Sequence, residues 1–133
     1  MTKQSKALTI LGAALVLLLA LAACAPQPSL APGTYASAIT REDTTSYIFI
    51  GDWELTLTEE NGYSLSKDGD FWEEGNYTLT GDQIAITMSE GANPCGATGT
   101  YTWASDGKSL TLTTVEDSCE GRPTFFTMHP WSP

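Results

Sequence analysis

Between Gly33 and the C-terminus, apolar and polar residues alternate with a period of two. Trp53, Leu55 and Leu57 fall on one side of an extended chain, with Asp52, Glu54, Thr56 and Thr58 on the other. Tyr63 and Leu65, Tyr77 and Leu79, Ile84, Ile86 and Met88, Tyr101 and Trp103, and Leu110 and Leu112 repeat the pattern against Ser, Thr, Asn and Ala. No stretch here places apolar residues at helical spacing. One packed face and one wet face is the signature of antiparallel sheet. Asn61-Gly62, Asp68-Gly69, Gly81-Asp82 and Asp106-Gly107 separate the runs, and these residue pairs supply the positive φ of two-residue hairpin loops. The prolines all lie outside the alternating segments, as a hydrogen-bonded ladder requires.

The runs predict strands near 33–39, 46–58, 62–67, 71–80, 83–89, 98–104, 109–115 and 124–129. Gly75-Asn76-Tyr77-Thr78-Leu79 with its following turn reappears as Gly99-Thr100-Tyr101-Thr102-Trp103, so the repeating unit is one hairpin. The expected fold is all-β: an antiparallel up-and-down meander of about eight strands. Closing it into a barrel removes edges that would otherwise invite aggregation. A two-sheet sandwich gives similar signals and is the alternative.

The segment before Gly33 reads differently. Lys3 and Lys6 precede an uncharged Ala/Leu-rich run over 7–23, the n-region and h-region of a secretory signal helix. The run is shorter than the roughly 20 apolar residues that cross a bilayer. Leu21-Ala22-Ala23-Cys24 resembles the bacterial lipobox, in which the cysteine thiol receives a diacylglycerol before cleavage. The expectation is a lipoprotein signal peptide over 1–23 and a mature chain that starts at a lipidated Cys24. That chain would be anchored on the extracytoplasmic side of a membrane in the cell envelope. Residues 24–32 hold Pro26, Pro28 and Pro32 and form a tether that reaches on the order of 25 Å. Residues 33–133 form one domain with one modest core.

Loss of residues 1–23 removes both signal lysines, so the formal charge moves from −10 for the whole chain to −12 for the mature part. Arg41, Lys67, Lys108 and Arg122 are its basic residues. Such a surface repels nucleic acid and anionic headgroups. It keeps the domain soluble and fits a monomer whose only membrane partner is reached through the lipid. With Cys24 committed, Cys95 and Cys119 remain as an even pair in an oxidising compartment, most simply a disulfide. A metal site lacks ligands: no cysteine pair has the two-residue spacing, and the single histidine, His129, lies in the tail.

The opening Gly33-Thr34-Tyr35, the repeated Gly-x-aromatic hairpins including Gly51-Asp52-Trp53, and the run Asp117-Ser118-Cys119-Glu120-Gly121-Arg122 resemble the lipocalin-like lipoproteins of bacteria, members of the calycin group of small ligand-binding barrels. The resemblance spans nearly the whole mature domain. It departs from the lipocalin pattern at Tyr35, where the first strand has tyrosine instead of tryptophan. It implies that Arg122 packs beside the Gly-x-Trp and closes one end of the barrel. Glu116, Asp117 and Glu120 are alternative ion-pair partners for the same arginine.

Catalysis is the poorest fit: there is no Gly-x-Ser-x-Gly, no phosphate-binding glycine loop and no free cysteine to act with a histidine. The pairs Glu59-Glu60 and Glu73-Glu74 sit at or near turns, where solvated charge is expected. Asp68, Asp70, Glu73 and Glu74 offer carboxylates to calcium, but not at the spacing of a calcium loop. No catalytic residue, metal or cofactor is expected. The best functional candidate is a small apolar or aromatic ligand held among Tyr35, Trp53, Tyr63, Tyr77, Tyr101 and Trp103 on the inward faces. Those rings equally well fill the interior, and the chain is then an acidic protein-interaction or inhibitor module. Phe125 is expected to pack, and Trp131 to offer apolar contact outside the barrel.

Overall fold

A computed structural model describes residues 29–92 and 94–133. The expected signal peptide over 1–23, the expected lipidation site Cys24 and the expected tether up to Pro28 lie outside the described residues. The fold is one antiparallel sheet in strict sequence order: β1 (Gly33–Ile39), β2 (Gly51–Leu57), β3 (Gly62–Lys67), β4 (Asp70–Thr80), β5 (Gln83–Gly91), β6 (Thr98–Ser105) and β7 (Leu110–Glu116). The meander and the single sheet agree with the hairpin reading. Asn61, Asp68, Gly69, Gly81 and Gly107 all take positive φ, so each anticipated turn contains the left-handed residue it needs.

The sheet curls into a half-barrel rather than a closed eight-stranded cylinder. The segment expected as the last strand is instead the helix α1 (Arg122–Thr127). Gly121 (φ 82) turns the chain into it, and Pro123 in its first turn has a fixed φ already suited to a helix. Arg122, Phe125 and Phe126 are its buried residues, at the i, i+3, i+4 spacing of one helical face. The other early boundary also shifts: 46–50 is a turn-rich loop, and β2 begins at Gly51.

After α1 the chain crosses the gap between the sheet's edge strands. Trp131 bridges to Leu110 of β7 and Ser132 to Ala36 of β1, each through a reciprocal pair of backbone hydrogen bonds of 2.7–2.8 Å. This strap satisfies edge groups that direct β1–β7 pairing would otherwise have used. Trp131 is fully buried under it and donates its indole N–H to the Phe126 carbonyl at 3.0 Å, so it belongs to the core and not to an outer surface.

The inward residues of the strands meet Phe125, Phe126 and Trp131 in one cluster. Phe126 sits centrally, with its ring 5.5 Å from Tyr101, 5.0 Å from Phe125 and 6.4–6.5 Å from Tyr63 and Trp131. Such offset and edge-on contacts are favoured by the ring quadrupoles. The half-barrel is therefore filled from within by its own C-terminal segment.

Candidate functional site

Strand order assigns the loops to two ends. The 29–32 segment and the turns after β2, β4 and β6 lie at one end. The 40–50 loop, the Asp68-Gly69 turn, the 92–97 loop and the segment after β7 lie at the other. At this second end a cavity of about 560 Å³ opens between the 40–50 loop, the start of β4, the end of β5 and α1. Phe49, Trp72, Met88 and Phe125 make its apolar walls, and the Cys95–Cys119 disulfide borders it. The disulfide fixes the loop before β6 to the chain just after β7, as the pairing of the two cysteines anticipates.

Two charged residues of the cavity lining are buried: Glu73 (4% exposed) and Arg122 (3%). Glu73 corrects the expectation of a solvated turn. Pairing of Leu65 with Glu73 and of Ser66 with Phe71 leaves Trp72 as an extra, bulged residue of β4. Glu73 then shares the inward parity of Gly75 and Tyr77, while Phe71 turns out to solvent. The bulge is what places a carboxylate and the Trp72 wall side by side. Glu74 points the other way and is exposed, so Asp68, Asp70, Glu73 and Glu74 do not converge on one cation site.

Arg122 holds a buried ion pair with Asp117, whose side chain is also fully enclosed. Its Nε donates to Asp117 Oδ2 at 2.7 Å, and its Nη2 to Asp117 Oδ1 at 2.8 Å and to the Ala97 carbonyl at 2.7 Å. Tyr101 adds a short hydroxyl hydrogen bond to the same carboxylate, and the Cys119 N–H another at 2.8 Å. Of the three candidate acids, Asp117 is thus the partner. Gly99 makes room for the pair, because a Cβ there would collide with the Asp117 carboxylate and lie 2.9 Å from Arg122 Nη2. The remaining guanidinium nitrogen, Nη1, is buried without a partner among the described residues.

Burial works against charge on both members. The guanidinium and its supporting donors outweigh it and hold the Asp117 carboxyl below its ordinary range, and Asp117 likewise raises Arg122. Glu73 differs. Burial, aided by the negative Asp117, raises its pKa despite a hydrogen bond from the Tyr63 hydroxyl (2.9 Å to Oε1) and the nearby positive Arg122. The Tyr63 and Tyr101 hydroxyls are raised too, chiefly by burial. The cavity lining thus combines an arginine already paired with Asp117 behind it and a buried carboxyl whose pKa is raised.

The aromatic residues expected to hold a ligand lie elsewhere. Tyr35, Trp53, Tyr63, Tyr77, Tyr101 and Trp103 are all buried in the core cluster, and none lines the end cavity. The Tyr35 and Tyr77 hydroxyls donate to the Ala31 and Thr58 carbonyls at the tether end, at 2.6 and 2.8 Å. Trp53 donates its indole N–H to the Phe49 carbonyl (2.8 Å) and stacks on Phe125 (centroids 5.0 Å apart), which ties the Gly-x-Trp to α1 one turn beyond Arg122. Trp103 Nε1 is buried with no partner among the described residues.

The 40–50 loop is held by the tail. Asp43 accepts hydrogen bonds from the Thr40 N–H and hydroxyl and pairs with His129 Nε2 at 3.0 Å. These contacts, the Thr40 backbone N–H foremost, lower its carboxyl to about 2. Tyr47 (80% exposed) and Ile48 (45%) are left facing solvent on this loop, with Ile48 at the cavity's lip. Among the described residues no group of three or more His, Cys, Asp or Glu is arranged to hold a metal. Comparison with protein-family models, curated proteins and solved structures finds no match to this chain.

Proposed function

We propose that the chain is a lipid-anchored, extracytoplasmic lipoprotein of lipocalin-like type that holds a small apolar or aromatic ligand in the end cavity. The observation that carries this reading is the cavity itself: aromatic walls around two buried charged residues, at the end of the half-barrel formed by loops. Sites with mostly apolar walls and a few convergent polar groups are the usual form of small-molecule pockets. The full interior behind it shifts the ligand from the barrel axis to its mouth. The Trp131–Ser132 strap takes the place of the final strand in a calycin-like cylinder.

Anchoring through Cys24 gives the cavity a direction. β1 starts beside the tether and ends at the loop that lines the cavity, and its 7 residues span roughly 20 Å. The mouth therefore lies at the end away from the anchor and takes ligand from solution rather than from the bilayer. Native mass spectrometry of the protein purified from its own cells tests the reading. A stoichiometric small-molecule adduct, lost on unfolding, is the expected result; a bare mass from saturating native conditions overturns it.

A second reading is favoured by the filled core together with exposed Tyr47 and Ile48 on an acidic molecule: a module that presents this loop to a basic protein. Ionic strength separates the two. A charge-driven partner dissociates as salt rises, whereas an enclosed ligand stays.

A further inference from the structure

Arg122 forms part of the cavity's lining, and its hydrogen-bonding capacity is only partly used inside the protein. Nε and Nη2 are committed to Asp117 and Ala97, and Nη1 is left with no acceptor among the described residues although Arg122 is 3% exposed. A buried charged donor without a partner is costly, and an acceptor seated against it recovers that cost. The acceptor's charge is constrained as well. Asp117 already neutralises the guanidinium, Glu73 lies in the same lining, Glu120 is also on the cavity, and the whole chain carries −10. A second carboxylate would add negative charge where the positive charge is spent.

Resting on the cavity reading above, we infer that the ligand is a small, uncharged, ring-bearing molecule that presents a carbonyl oxygen, of amide or lactam type, to Arg122 Nη1. The flat walls of Phe49, Trp72 and Phe125 take the ring. Arg122 supplies the donor that fixes its orientation, and Asp117 is a positioning residue that holds the guanidinium still. Glu73 and Glu120 stand in the same lining, so no unpaired positive charge there calls for an anionic guest.

A matched set of indole probes tests this with the intact mature domain: 3-methylindole, indole-3-acetamide, indole-3-acetate and tryptamine, titrated by ligand-observed NMR. The amide is expected to bind at least about tenfold more tightly than 3-methylindole, the size of one hydrogen bond to a charged donor. It is also expected to outbind the acetate and the amine. Equal binding of the amide and 3-methylindole overturns the carbonyl assignment and leaves the cavity reading standing. Tighter binding of the acetate or of tryptamine than of the amide overturns it in favour of an ionic guest. If none of the probes binds at millimolar concentration, both readings fall.

Arg122→Lys keeps the charge but loses the planar fork, and should cut the amide's advantage over 3-methylindole to less than about threefold. Circular dichroism establishes that this variant is folded. If it is not, the structure of the wild-type domain with indole-3-acetamide decides: a carbonyl oxygen within about 3.2 Å of Nη1 is required, and a ring bound with its carbonyl turned to solvent overturns the assignment.

Discussion

The sheet and the C-terminal segment bury comparable aromatic residues by different rules. In the strands, every second side chain goes inward because the pleat sends it there, so Trp53, Tyr63, Tyr77 and Tyr101 are buried by position alone. From Asp117 onward nothing repeats. Arg122, Phe125, Phe126 and Trp131 are buried by a single helical turn, an ion pair and a strap that joins both sheet edges. The sheet is a wall that cannot close on itself, and the last residues are both its filling and its seam. The buried charged residues among those described, Glu73 and Arg122, stand where the two meet, because a bulged strand and a helix start bring them inward.

If the C-terminal segment were an appendage, trimming it would cost less than trimming the wall. Phe126→Ala is expected to cost about 3–5 kcal/mol, the range for a buried phenylalanine, and at least as much as Leu65→Ala on β3. Both residues are almost fully enclosed, so the comparison isolates their place in the fold. Urea unfolding followed by tryptophan fluorescence measures it, and a Phe126→Ala loss well below that of Leu65→Ala would reduce the segment to a cap.

Removing the covalent link between the two regions comes next. Cys95 and Cys119 are separated by 24 positions, and replacing both by Ser should lower stability by about 3–4 kcal/mol on the chain-entropy account. The same double variant should lose the cavity before it loses the sheet, because the link borders the former. Hydrogen exchange reads this out: early loss of protection in 92–97 and 117–127 with the β2–β3 ladder intact is expected, and uniform loss would contradict it. Gly99→Ala is a milder intrusion at the same junction. A Cβ there meets the Asp117–Arg122 pair rather than empty space, and overpacking of this kind costs about 1–3 kcal/mol. Gly69→Ala offers a control of the opposite kind, with open space around its Cβ and a penalty set by its φ of +85° alone.

The same contrast explains what was legible in the sequence. Half-buried strands announce themselves, because burial and period are one signal, and hairpin turns need residues that tolerate positive φ. Strand β3 and its flanking turns were readable residue by residue for that reason. The helix was not: Thr124, Phe125, Phe126 and Thr127 favour extended chain by local preference, and tertiary packing overrode it. Gly121 and Pro123 around Arg122 carried the contrary signal. The alternation puts the six inward aromatics on the buried face where the fold has them, but burial does not reveal whether a ring lines a void or fills one. Glu73 was recoverable from parity with Tyr77, two pleats away, had its charge not suggested a turn. The Nη1 left over on Arg122 depends on which acid pairs with it, and that is a matter of three-dimensional contact.

The smallest effect is also the most selective, since it separates the two buried charged residues of the cavity. Burial raises the Glu73 pKa above its unfolded value near 4.5. Below that value both states hold the proton and the residue costs nothing. As pH rises through it, the unfolded chain ionises first, so stability falls until the folded carboxyl also ionises, and then levels off. Glu73→Gln retains the shape and an oxygen for the Tyr63 hydroxyl but cannot ionise. Its melting temperature should therefore match wild type below about pH 4 and exceed it near pH 7, with the gap opening upward from the unfolded value. Asp117→Asn should do the reverse, because the Asp117 pKa is lowered and its contribution is present above its ordinary value and lost in acid. Differential scanning calorimetry of both variants between pH 3 and pH 8 checks the signs. If Glu73→Gln is destabilising at neutral pH, the carboxyl is ionised and working with Arg122, and the cavity is electrostatically one site with its ion pair rather than a neutral pocket beside it.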